Sequence, residues 1–338
     1  MTTTEESAAA PRTTIEDSAH GVGPSTLRRL AAAWPRRATV RTDMDRITGS
    51  EEYDPELLDY PVSLMPFGEH PDFLGAPEDK RRTVNTLGWI AYNERVVAAE
   101  EFVVNPTFEK LGHAVFPGVD RFEVKEIVRQ SHIDEVWHTY MHMLGMQRTR
   151  EARRVTAEPD CGHPVTNRLL YAAEGAAGER WQRDLLYLLW TTVGEVSVNA
   201  FLDLMAQDTT VQPMHSLIAR LHARDEAAHG PVMIEVMKDV FVHLTREQQD
   251  FFVSRLPAGI TAFCAEDFDW WLKVLEFAGI PKARDIIEDS RTGRGGQHAE
   301  LLVTDFSGVR RLCRELGIEN RVDFDFQAGN PGLAGRAT

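Results

Sequence analysis

Cysteine is scarce in this chain of 338 residues: Cys161, Cys264 and Cys313 are far apart, with no Cys-x-x-Cys and no close Cys/His cluster. That scatter gives no ground for a thiolate zinc or iron–sulfur site, and it suits a reducing cytoplasm. Positive charge is short too. With 37 Lys and Arg against 52 Asp and Glu, the formal charge is −15. Nucleic-acid affinity comes largely from cations that neutralise phosphates, so no such partner is expected. No apolar run is read as reaching the roughly 18 to 20 residues that span a bilayer, so no membrane is expected either. Missing as well are a Rossmann glycine pattern, a flavin motif, alternating strands with hairpin turns and a short repeat. A chain without cofactor-binding motifs that carries out redox chemistry needs an external electron donor.

What is present is helical periodicity. Residues 1–40, rich in Thr, Ser, Ala and Arg but without the apolar core of a signal peptide, are read as a mobile tail. A single domain is expected over 41–325, followed by a loose, Gly-rich tail over 326–338. Pro77 followed by Glu78 and Asp79 opens a first long helix that runs to Asn105, where Pro106 ends or kinks it. Asp120 and Glu123 form a capping-box pattern for a second, reaching about Gln147. After a polar crossover around Cys161, Gly162 and Pro164, a third covers about Ala177–Met205, and Pro213 opens a fourth through Val240, disturbed at Gly230-Pro231. Four shorter helices follow over 245–254, 267–277, 281–289 and 305–316. The expected fold is all-α: a four-helix core with helical additions.

The chemistry sits in two Glu-x-x-His pairs, Glu135/His138 and Glu226/His229. Residues three apart share a helix face, so each pair can offer a carboxylate and an imidazole to one metal ion. One such pair means little in a chain with 12 histidines. Both, however, fall deep inside long helices among apolar neighbours, where an unpaired carboxylate is costly. Each pair is preceded by an Asp. Asp134 and Asp225 are therefore expected to accept from the outer nitrogens of ligand histidines and to fix their rings, the alternative being solvated helix surface. Each pair also follows a helix with a mid-helix acid. Glu195 lies in the apolar run Leu-Leu-Trp-Thr-Thr-Val-Gly-Glu-Val-Ser-Val. On the first helix Glu100 or Glu101 takes the role, and Glu100 borders the stripe of Trp89, Ile90, Val97 and Val104, whereas Glu101 falls with Glu94.

The spacings form two helix pairs joined by a long crossover, the layout of ferritin-like di-iron carboxylate bundles. Hard carboxylates with two imidazoles suit iron or manganese better than zinc. His222 shares a face with Glu226 and His229 in His-x-x-x-Glu-x-x-His; a lone histidine there is more often core, but this spacing favours metal binding. Tyr92, Val198 and Asn199 are candidate substrate-cavity residues that could equally be plain packing. Trp137, Trp190, Trp270 and Trp271 are read as core, and His132 and His142 as structural.

These residues resemble the non-haem di-iron arylamine N-oxygenases of antibiotic biosynthesis, with motifs matching from about Tyr92 to His229. The nearest wording is that of chloramphenicol-type pathways, followed by p-aminobenzoate N-oxygenases. The resemblance implies seven ligands to two iron ions: Glu100, Glu135, His138, Glu195, His222, Glu226 and His229. It further implies use of O2 to convert an aryl-amine to an aryl-nitro group through hydroxylamine and nitroso stages, by way of a peroxo species on two ferric ions, in a homodimer. The alternatives are another O2-activating di-iron enzyme, such as a hydroxylase or desaturase, and an iron-storage protein.

Overall fold

The computed structural model describes residues 24–43, 53–293 and 305–326. The tails expected over 1–23 and 327–338 lie outside the described residues. The rest of the supposed N-terminal tail is structured. Pro24–Arg37 forms a helix, α1, that buries Leu27 and Ala31 against the bundle. The short turn Thr39–Arg41 follows it.

After the short α2 (Pro71–Leu74) comes α3 (Glu78–Ala99), with Pro77 at its cap and the acids Glu78 and Asp79 in its first turn. Pro106 does not end the helix. A π-helical turn, Glu100–Val104, is closed by the Asn105 N–H on the Glu100 carbonyl, and α4 (Asn105–Gly112) carries on with Pro106 in its first turn. Proline has no N–H for the carbonyl four residues back, so the α ladder is broken here in any case, and a widened turn absorbs the break.

The next helix, α5, covers Phe122–Arg153, six residues longer than expected at its C-terminus, and ends on left-handed Arg154. The Asp120/Glu123 capping box does not form: Arg121 is the cap residue, without a side-chain cap bond, and Glu123 pairs with Arg28 at 3.1 Å. Within the crossover lies an unforeseen helix, α6 (Val165–Gly175). The expected third helix splits at Val198 into α7 (Arg180–Ser197), with a true capping box of Glu179 and Gln182, and α8 (Asn199–Gln207). Helix α9 (Pro213–His243) continues through Pro231 without a break. Four more follow: α10 (Arg246–Cys264), α11 (Phe268–Phe277), α12 (Ala283–Thr292) and α13 (Ser307–Glu315).

Among the described residues there is no strand; Leu58 and Val211 form an isolated bridge. The core is ferritin-like: α3 packs on α5 and α7 on α9, while α5 against α9 and the π turn against α7 join the two pairs. Arg180–Gln207 is apolar and long enough by composition to cross a bilayer, a stretch the sequence reading passed over, yet 72% of its most apolar window is buried within the fold. It is a core element of the bundle. Close packing reaches its limit beside the site. A Cβ added at Gly230 of α9 would lie 3.0 Å from the Glu195 carbonyl of α7, so a glycine lets those two backbones meet.

Candidate metal centre

Four elements each deliver ligand-type side chains to one buried point. The π turn supplies Glu100, α5 supplies Glu135 and His138, α7 supplies Glu195, and α9 supplies His222, Glu226 and His229. All seven are buried. Glu101, the competing acid on the first helix, is exposed. The donor atoms fall into two groups: Glu100, His138 and His222 form one, and Glu135, Glu195, Glu226 and His229 the other, with the atoms of each group within 4.8 Å of one another. Carboxylates link the groups. Glu226 Oε1 lies 3.5 Å from His138 Nδ1, 3.3 Å from His222 Nε2 and 3.1 Å from His229 Nδ1. Glu135 reaches His138 Nδ1 at 3.2 Å with one oxygen and His229 Nδ1 at 2.6 Å with the other.

Behind the ligands the aspartates pair crosswise. Asp134, next to Glu135, accepts from His229 Nε2 at 3.2 Å; Asp225, next to Glu226, accepts from His138 Nε2 at 3.2 Å. Both aspartates are fully buried, not solvated surface. Each histidine thus points Nδ1 inward and carries its proton on the outer nitrogen.

Six buried carboxylates in one place need compensation. Burial and then Glu135 push Glu100 well above the usual carboxylate range, and the same two causes raise Glu195. Burial would lift Glu135 too, but His229 and His138 hold it well below that range. Against the effect of burial, hydrogen bonds that His138 donates to Asp225 and Glu135 raise it to about 10, and Glu135 with Glu226 lifts His229 well above its ordinary value. Burial lowers His222, helped by neighbouring His138.

The residues fit a metal cofactor on the evidence of their own unsatisfied atoms. Glu100 Oε2, Glu195 Oε2 and Glu226 Oε2 are buried without a hydrogen-bond donor, a costly condition that cations relieve. Oxygen-rich ligation with three imidazoles is the donor set of iron or manganese.

A profile of the family described as P-aminobenzoate N-oxygenase AurF matches residues 23–317. The chain belongs to this family. It is also 43% identical over 306 residues to the 4-aminobenzoate N-oxygenase of Streptomyces thioluteus, covering 90% of each chain. As a member of the AurF family the protein is an oxygenase enzyme with a metal cofactor, and the N-oxygenase resemblance read from the motifs is borne out.

Beside these buried side chains of the oxygenase runs a largely apolar cavity. Tyr92 and Val198 line it, but Asn199, at the start of α8, is not among its lining residues. Several residues escaped the sequence reading. Arg95 lines the cavity while bonding the Phe263 and Ala265 carbonyls at 2.7 and 3.0 Å. From the supposed tail, Trp34 Nε1 donates to both oxygens of Asp134 at 2.9 Å. Arg37 reaches Asp225 at 2.9 Å and Asp134 at 3.6 Å, and the Thr39 N–H donates to Asp225 at 3.0 Å. Nothing in residues 24–40 spells this out beyond a basic, aromatic helix end. His142, structural by its sequence setting, brings its ring against that of His222; its four-residue spacing from His138 is the available signal.

Proposed function

We propose that the protein is a di-iron arylamine N-oxygenase that uses O2 to convert the amino group of a p-substituted aniline of the aminobenzoate type to a nitro group. The carrying observation is the convergence of Glu100, Glu135, His138, Glu195, His222, Glu226 and His229 on one buried point with three carboxylate oxygens lacking donors. Glu100, His138 and His222 would hold one ion, and Glu195 with His229 the other, Glu135 and Glu226 standing between them. When bound, the pair of irons supplies the activation of dioxygen.

The protein's part is positioning and exclusion of water. Asp134 and Asp225 hold the proton on the Nε2 atoms of His229 and His138, which leaves both Nδ1 lone pairs facing inward. Val96, Val198, Phe201 and Phe263 form apolar walls suited to an aromatic ring. Glu100, Glu135, Glu195 and Glu226 make one end of the cavity rich in acceptors, where an amine fits. Arg95 is the only guanidinium or ammonium group among the described lining residues, and it suits a carboxylate on the substrate ring. The Tyr92 hydroxyl, buried without a partner, is a second polar group available to substrate. Electrons come from a separate reductase, from a soluble reductant, or in part from the substrate as it is oxidised. The family relationship favours N-oxidation over hydroxylation or desaturation, which use the same ligand skeleton.

The test is product analysis. Iron-loaded, reduced protein given O2 and p-aminobenzoate should yield p-nitrobenzoate, with the hydroxylamine appearing first. A ring-hydroxylated product, or oxygen uptake that ignores the amine, would overturn the reading.

A further inference from the structure

His142 and Asn93 lie beyond the seven-residue set, and both are fully buried. His142 Nε2 is 2.8 Å from His222 Nδ1, and its Nδ1 is 2.6 Å from Asn93 Oδ1. Asn93 Nδ2 donates to the Trp89 carbonyl at 2.6 Å, one turn back on α3. Donor and acceptor roles then follow link by link. A carbonyl only accepts, so the Asn93 amide faces it with Nδ2 and presents Oδ1 to His142. Oδ1 also only accepts, so His142 carries a proton on Nδ1. A neutral His142 therefore accepts at Nε2, and His222 donates from Nδ1. The lone pair of His222 is left on Nε2, the atom that lies 3.3 Å from both Glu100 Oε1 and Glu226 Oε1.

We infer that Asn93 and His142 are positioning residues that fix the tautomer of His222, turning its Nε2 lone pair toward the metal site through an uncharged relay. The inference rests on His222 being a metal ligand as proposed above. The relay also sets His222 apart from the other two histidines. His138 and His229 present Nδ1 and are backed by anionic aspartates, whereas His222 presents Nε2 and is backed by a neutral imidazole. A carboxylate raises the basicity of the imidazole it accepts from; a neutral ring does so less. His222 is thus the weakest of the three nitrogen donors.

The test compares His142→Leu, His142→Gln and His222→Ala in iron-loaded protein. Imidazoles around iron are counted by X-ray absorption, and iron affinity is measured against a chelator. His142→Leu should lose one imidazole per pair of ions and hold one ion roughly 10- to 100-fold more weakly, the usual cost of removing such an outer partner. Glutamine carries an acceptor for His222 and a donor for Asn93, so His142→Gln should recover both values. Full imidazole count and affinity in His142→Leu would overturn the relay. So would a glutamine variant as impaired as the leucine one, since that marks simple packing. If His222→Ala itself keeps every imidazole, the ligand assignment fails, and the relay with it; if only the His142 variants are silent, the relay alone fails. Should His142→Leu not fold, histidine 15N NMR of the wild-type protein loaded with zinc reads the tautomers directly. His222 protonated on Nδ1 supports the relay, and a proton on Nε2 overturns it.

Discussion

Each aspartate behind the ligands holds a histidine of the opposite helix, so a single substitution should act across the bundle. Asp225→Asn is expected to weaken iron binding roughly 10- to 100-fold through His138, although its own neighbour is Glu226. Competition with a chelator measures this. The raised groups at the site give a pH signature to protein stripped of metal. His138 is raised from 6.5 to about 10 by Asp225 and Glu135, overcoming burial. A histidine that binds its proton more tightly when folded stabilises the fold fully below its unfolded value, and that contribution fades as pH climbs toward about 10. Glu100 and Glu195, raised by burial and Glu135, act in the same sense from lower pH. The metal-free protein should therefore lose thermal stability as pH rises across that interval. Iron replaces those protons, so the loaded protein should show a flatter profile and its iron affinity should rise with pH. Melting temperatures of both forms across the range check the sign. In the cavity, Arg95→Met should raise KM for aminobenzoate far more than for an uncharged aniline if Arg95 faces the substrate carboxylate. The ligand-type residues were legible because a buried charge at fixed helical spacing is improbable without a cation. Arg95 and His142 were not, because their roles depend on neighbours contributed by other helices.

Among the elements, α1 has the largest effect for its size. It lies outside the four-helix core, yet Trp34 and Arg37 neutralise and orient both aspartates. Arg37→Ala would leave two fully buried carboxylates without their guanidinium and should cost about 3–5 kcal/mol, read by urea unfolding of the iron-loaded protein. Composition hid this helix: Thr, Ser and Ala upstream resemble a disordered tail, and α1 gains its stability from packing on α5 and α9 rather than from its own sequence. The π turn was hidden in the same way. Pro106 rightly signals a broken ladder, but tertiary packing turns the break into a bulge that carries Glu100 instead of a helix end. The long helices and their starts at Pro77 and Pro213 were readable because periodicity and proline act locally. The capping box at Asp120 failed because the helix starts one residue later, with Arg121 at the cap, which puts Glu123 out of frame.

At the scale of the whole molecule, the core is closed around the site while one outer face stays apolar. Ile133, Val136, Tyr140 and Met143 are exposed along α5 at helical spacing, the stripe where the homodimer implied by the family resemblance would be sought. The fold class and the two-pair layout followed from the order of six acids and imidazoles along the chain, while the way α1, α10 and α13 close around them needed coordinates. The most direct measurement is the iron content of protein reconstituted with ferrous iron and freed of excess, for the wild type and for Glu135→Ala and Glu226→Ala. Two ions per chain in the wild type, with loss in either variant, is the predicted result. A wild type that retains no iron, or variants that retain all of it, would contradict the account.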